Sequence, residues 1–119
     1  MKGKWMDADS SYLEIEMNRG FLQLLVLAAT EQRAYGYLIV KQMKEIGYTI
    51  DENTLYPLLR RLEKNGWVQS EWEIHSDRPR KFYVITPSGK AVREKGLAIW
   101  RGQNAVLSMM MEINNVRES

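Results

Sequence analysis

Two short stretches concentrate the side chains that could do chemistry. The first holds Asn53, Thr54, Tyr56, Pro57, Arg60, Arg61 and Lys64; the second holds Arg78, Arg80 and Lys81. These are cations, neutral donors and an aromatic ring rather than acid–base or nucleophile pairs. The acceptor that suits them is a phosphate backbone, with guanine edges within the repertoire of a planar guanidinium. His75 is the single histidine and cysteine is absent. That excludes thiolate metal sites, metal sites built on two histidines, and a cysteine nucleophile. No acid–base pair, nucleophile motif or glycine-rich phosphate loop accompanies them, so the sequence argues for no enzyme, no cofactor and no metal.

The 119 residues suit one ordinary domain with a single core, and the formal net charge is +2. That charge is unevenly spread. Residues 33–95 hold twelve Lys or Arg against eight Asp or Glu, a surplus of four, whereas residues 1–32 hold three against five. A surplus of four is too small to argue nucleic acid by itself, so placement must carry the argument. The longest apolar run, Leu24 to Ala29, is far short of the roughly 20 residues a membrane span needs. The first ten residues lack an apolar signal core. These features point to a cytoplasmic protein with no membrane partner.

The elements that must position the two stretches follow from periodicity. Ser11 and Glu14 have capping-box spacing, and Leu13, Met17, Leu24, Leu27 and Ala28 recur at helical intervals. Gly20 leaves open whether this is one helix or two. After a polar break at residues 31–34, a second helix is predicted from Tyr35 to Ile46, stopped by Gly47. Asp51 or Asn53 caps a third, which reaches Asn65 and ends at Gly66, with Pro57 in or just past its first turn. Stepping 100° per residue, Leu55, Leu58, Leu59 and Leu62 form a buried stripe. Asn53, Pro57, Arg60 and Lys64 then face outward, flanked by Thr54, Tyr56 and Arg61.

The period changes at Trp67. Residues Trp67 to Ile74 and Lys81 to Thr86 read as two strands of a hairpin, joined by a basic connector from His75 to Arg80. Thr86 and Pro87 then open a last helix to about Ile113. Val92, Ile99, Val106 and Ile113 repeat every seven residues along it, with Trp100, Leu107, Met110 and Met111 beside them. Such a repeat suits packing against a second helix, although Gly89, Gly96 and Gly102 interrupt it and Gln103 falls on the seam.

Three helices, a hairpin and a long helix make a mainly α fold with a small β-hairpin, in the order of a winged helix-turn-helix. In such a module the third helix enters the DNA major groove and the tip of the hairpin, or wing, meets the neighbouring backbone or minor groove. Arg60 and Lys64 lie on the outward face of that helix, and Arg78, Arg80 and Lys81 are expected at the wing tip. Tyr37, at the start of the second helix, is expected to face phosphate.

A family resemblance rests on these residues. Tyr35-Gly36-Tyr37, Thr54 to Glu63, Asn65-Gly66, and Arg78 to Tyr83 with Thr86 and Gly89 resemble the PadR family of bacterial transcription regulators, over roughly Met17 to Lys95. The resemblance implies a homodimer on double-stranded operator DNA, usually a repressor, and a short branch with one C-terminal helix. Residues 1–86 would be the DNA-binding unit, its N-terminal helix contributing to the dimer, and residues 87–119 the dimerisation helix. Val92, Ile99, Trp100, Val106, Met110 and Ile113 are the expected dimer contacts. Some short members hold flat aromatic compounds against a tryptophan of this helix, and Trp100, with Leu107, falls at the matching place for such an effector. Two departures stand out: His75-Ser76-Asp77 replaces a glycine-rich wing loop, and Phe82 replaces the commoner tyrosine. Rival readings are a protein-contact module using Trp67, Trp72 and the wing, and a small-molecule-sequestering protein.

Overall fold

The chain builds α1 (Asp9–Ala29), β1 (Ala34–Tyr35), α2 (Gly36–Glu45), α3 (Glu52–Lys64), β2 (Val68–His75), β3 (Arg78–Ile85) and α4 (Pro87–Glu118). These come from a computed structural model that describes residues 9–75 and 78–118. Met1 to Ala8, Ser76, Asp77 and Ser119 lie outside the described residues. The mainly helical winged-helix arrangement expected from the sequence is the arrangement found.

Helix α1 is one continuous helix of 21 residues. Gly20 does not divide it; a side chain there would meet nothing within 4 Å, so its cost is conformational entropy alone. Ser11 is already the third helical residue, which overturns the expected capping box. The helix ends at Thr30, buried but fully occupied. Its hydroxyl donates to the Val26 and Leu27 carbonyls at 3.0 and 3.1 Å, and its carbonyl accepts from the Ile85 N–H at 2.8 Å.

The polar break conceals a strand. Ala34 and Tyr35 pair antiparallel with Tyr83 and Phe82, so the sheet has three strands in the order β1-β3-β2. Tyr35 is thereby the N-cap of α2 rather than its first residue. Gly47 and Gly66, at φ +90° and +80°, close α2 and α3 in the left-handed region that favours glycine.

Helix α3 is capped by Asp51, whose Oδ1 accepts from the Thr54 N–H at 2.9 Å. Leu55, Leu58, Leu59 and Leu62 are all buried, together with Val26, Leu27, Ile39, Met43, Val68, Tyr83 and Ile85. Pro57 is the sixth helical residue, beyond the first turn. It therefore withholds an N–H from the Asn53 carbonyl, a loss that a first-turn position would have avoided.

The hairpin is longer than expected. Strand β3 begins at Arg78, and His75 pairs with Arg78, Glu73 with Arg80 and Trp72 with Lys81. Arg80 and Lys81 thus belong to the ladder and not to the tip. Pro79 is tolerated there because β1 pairs only with Phe82 and Tyr83, leaving the far side of β3 open at residue 79.

Thr86 caps α4, accepting from the Gly89 N–H at 3.0 Å while its hydroxyl donates to the Gly66 carbonyl at 2.6 Å. A Cβ on Gly89 would lie 2.0 Å from the Trp67 carbonyl oxygen, so this close approach admits only glycine. Glu31 fastens the same region, pairing with Arg93 and, at 3.5 Å, with Lys90. From Ala98 to Arg117 α4 is exposed throughout, and the molecule extends to 66 Å along its long axis. Among the described residues no helix is long and apolar enough to cross a membrane.

Candidate nucleic-acid interface

The start of α2, the outward side of α3 and the β2–β3 hairpin enclose an open cleft of about 750 Å3. Its walls include Tyr37, Tyr56, Arg60, Arg78, Arg80 and Lys81, so six of the residues singled out from the sequence converge there. Asn53, Thr54, Pro57, Arg61 and Lys64 continue outward as exposed residues of α3. Tyr35, Gly36, Glu52, Trp72, Pro79 and Tyr83 complete the lining.

Tyr56 is half-buried because Gly36 makes room for it. A Cβ at Gly36 would fall 2.4 Å from the Tyr56 hydroxyl oxygen and 2.6 Å from Cζ. Burial, and then the negative charge of Glu52, push the Tyr56 phenol above its ordinary pKa. Tyr83 behind it is pushed up mainly by burial, with Glu63 and Tyr56 adding and Arg60 opposing.

The adjacent Arg80 and Lys81 of the ladder face opposite ways, as strand alternation requires. Lys81 turns inward: its Nζ lies 5.7 Å from the Tyr83 ring centroid, 5.9 Å from that of Trp72 and 3.9 Å from Glu63 Oε1. Glu63 also accepts a hydrogen bond from Ser70, so a carboxylate holds the hairpin against α3. Arg80 lies instead over the Tyr35 ring, 4.5 Å from its centroid. On that side Arg33 pairs with Glu71 at 3.1 Å and with Glu73.

The sequence does not by itself place Tyr35 or Trp72 in this cleft. Tyr35 looks like a helix start, and a two-residue strand leaves no periodicity to detect. Trp72 looks like part of a protein-contact face; only a strand that reaches back to Arg78 pairs it with Lys81 and sets it beside α3.

A second concavity, of about 630 Å3, lies between α1 and α4 and brings Trp100 and Leu107 together with Phe21, Leu24 and Ile99. Trp100 is 44% exposed and its ring centroid is 6.4 Å from that of Phe21. Ile99, Val106 and Met110 line an apolar strip along α4, and Ile113 lies further along with Met109 and Val116. Val92 differs from them, being half-buried against the core of its own chain. Among the described residues no group of three or more His, Cys, Asp or Glu side chains could hold a metal ion.

Comparison with known proteins adds four findings. Residues 24–95 match the transcriptional regulator PadR-like family. A transcriptional regulator of Mycobacterium tuberculosis is 34% identical over 77 residues, which span 64% of this chain and 72% of that one. Solved structures agree. A crystal structure of a PadR family transcriptional regulator from Eggerthella lenta superposes with a TM-score of 0.85 at 37% identity, covering 92% of this chain and 98% of that chain. Bacillus subtilis PadR in complex with operator DNA superposes with a TM-score of 0.60 at 25% identity, over 64% of this chain and 46% of that one.

Proposed function

Because this chain belongs to the PadR-like family of transcriptional regulators, and so is not an enzyme, we propose that it binds double-stranded operator DNA as a homodimer and represses transcription. The observation that carries the reading is the cleft in which Arg60 of α3 meets Arg78 and Arg80 of the hairpin beside four tyrosines. Helix α3 enters the major groove with Asn53, Pro57, Arg60 and Lys64 leading, and Arg78 and Arg80 meet the adjoining backbone. That Bacillus subtilis PadR, which shares the fold, is solved in complex with operator DNA supports DNA binding by this chain.

In this reading residues 1–86 are the DNA-binding unit and residues 87–119 the dimerising arm, with α1 also contributing. The exposed apolar strip of α4 favours a second copy, since Ile99, Val106, Met110 and Ile113 otherwise stand in water. Two recognition helices then address major grooves about 34–36 Å apart. A flat aromatic molecule seated beside Trp100 and Leu107 in the α1–α4 groove releases the repressor by favouring a second arrangement of the two heads.

Fluorescence anisotropy against the protein's own promoter duplex, beside a scrambled duplex, tests the DNA claim. Selective binding to the promoter is expected, and weak, equal binding to both would overturn it. Quenching of Trp100 by planar aromatics, with Trp100→Phe as the control, tests the effector. Quenching of the other tryptophans alone, retained in the control, would remove the groove from the account.

A further inference from the structure

One flank of the cleft is built as a stack around a single ring. The Arg80 guanidinium lies 4.5 Å from the centroid of Tyr35. Tyr37 stacks on the same ring at 6.5 Å with an interplanar angle of 14°, and Phe82 meets it edge-on at 5.5 Å and 82°. Arg33 lies 4.3 Å from the Phe82 ring and is itself bridged to Glu71 and Glu73. Tyr35 therefore ties together side chains of β1, α2 and β3.

Its backbone is equally constrained. Tyr35 pairs with Phe82 in the sheet and is the N-cap of α2, yet its side chain makes no capping hydrogen bond. The ring is committed to the stack, and the first amides of α2 are left without a side-chain acceptor from the cap. A guanidinium held over a ring by its central carbon still carries N–H donors at its edges, and a phosphate can be met by two of them at once. The neighbouring Lys81 points to the other face of the strand, 3.9 Å from Glu63, so of the two adjacent cations only Arg80 lies on the side of Tyr35.

We propose that Tyr35 is a positioning residue for nucleic-acid binding: its ring fixes Arg80 and Tyr37 as one unit that grips a backbone phosphate beside the start of α2. This rests on the DNA-binding reading above, and goes beyond it in assigning the grip to a residue that does not itself touch the phosphate.

The test is a binding cycle on full-length protein with the promoter duplex, titrated over salt. Arg80→Gln is expected to weaken binding and to reduce the salt slope by about 0.9 per protomer, the value of one neutralised phosphate. Tyr35→Val, which suits the strand but deletes the ring, is expected to do the same. Adding Arg80→Gln to Tyr35→Val should then cost about two- to five-fold less than adding it to the wild type. Tyr35→Phe keeps the ring and restores binding. Arg80→Lys keeps the charge without the plane and remains weaker than wild type at an unchanged melting temperature.

Additive effects of Tyr35→Val and Arg80→Gln, or wild-type affinity in Arg80→Lys, overturn the proposal. If Tyr35→Val does not fold, the Arg80→Lys and Tyr35→Phe arms still decide it. Arg60→Ala/Lys64→Ala on the same duplex separates the two levels. If that pair weakens binding while the cycle is additive, only the role of Tyr35 falls; if the wild type itself binds the promoter and a scrambled duplex weakly and equally, the DNA-binding reading falls and this proposal with it.

Discussion

Replacing Gly36 by alanine should unseat Tyr56, and removing Tyr56 should cure the damage. Gly36 has no positive φ to preserve, so the penalty is steric alone. The new Cβ would lie 2.4 to 2.7 Å from three atoms of the tyrosine, where ordinary contact begins near 3.4 Å, so the ring must retreat by about 1 Å. Overpacking of this kind costs about 1–3 kcal/mol, and up to ~1 kcal/mol returns because alanine is less disordered than glycine when unfolded. Gly36→Ala is therefore expected to destabilise the wild type by about 1–2 kcal/mol, and in a Tyr56→Ala background to be neutral or mildly stabilising. Urea unfolding of the four proteins at one fixed concentration measures the coupling, expected at about 2 kcal/mol. An equal cost in both backgrounds would refute the reasoning. Because Tyr56 faces the cleft, Gly36→Ala should also weaken promoter binding while leaving Tyr56→Ala no worse.

Three further outcomes follow from the same geometry. Gly89→Ala sets a Cβ against a backbone carbonyl and the Ile85 side chain rather than a movable side-chain end, and should cost about 3 kcal/mol; an unchanged melting temperature would contradict the close approach. Glu31 is held below the ordinary glutamate range, first by its hydrogen bond from Arg93 and then by the charges of Lys90 and Arg93, with desolvation opposing. A depressed carboxylate contributes fully above its unfolded pKa and loses that contribution as pH falls through the folded value, so wild type minus Glu31→Gln should shrink on the acid side of the stability curve; a difference constant from pH 7 to 3 would remove the tether. Val106→Glu places a charge in the exposed strip of α4 and should halve the mass seen by sedimentation, whereas an unchanged dimer mass would move the interface elsewhere.

The parts of the fold legible in the sequence are those with redundant signals. Four leucines at helical spacing, a capping acid and a terminal glycine all specify α3, and its buried stripe lies where a 100° step puts it. β1 is illegible because two residues carry no period, and their strand character comes from pairing with Phe82 and Tyr83 far along the chain. The start of β3 is obscured by Pro79, which reads as a turn unless the open far side of the strand is known. Lys81 and Arg80 look alike as adjacent cations, yet the pleat sends one to Glu63 and the other to Tyr35. Along α4, Val92 and Ile99 share one seven-residue repeat, but only the first turns of that helix lie over the chain's own core, so equal spacing ends in unequal burial.

The central claim is that the outward face of α3 meets DNA, and the salt dependence of promoter binding tests it most directly. Wild-type affinity should fall steeply as salt rises, because each neutralised phosphate releases counterions. Arg60→Ala/Lys64→Ala should bind more weakly, with the slope reduced by about 0.9 for each phosphate left unneutralised, and should keep the wild-type oligomeric mass. A double variant with wild-type affinity and wild-type slope would contradict the account.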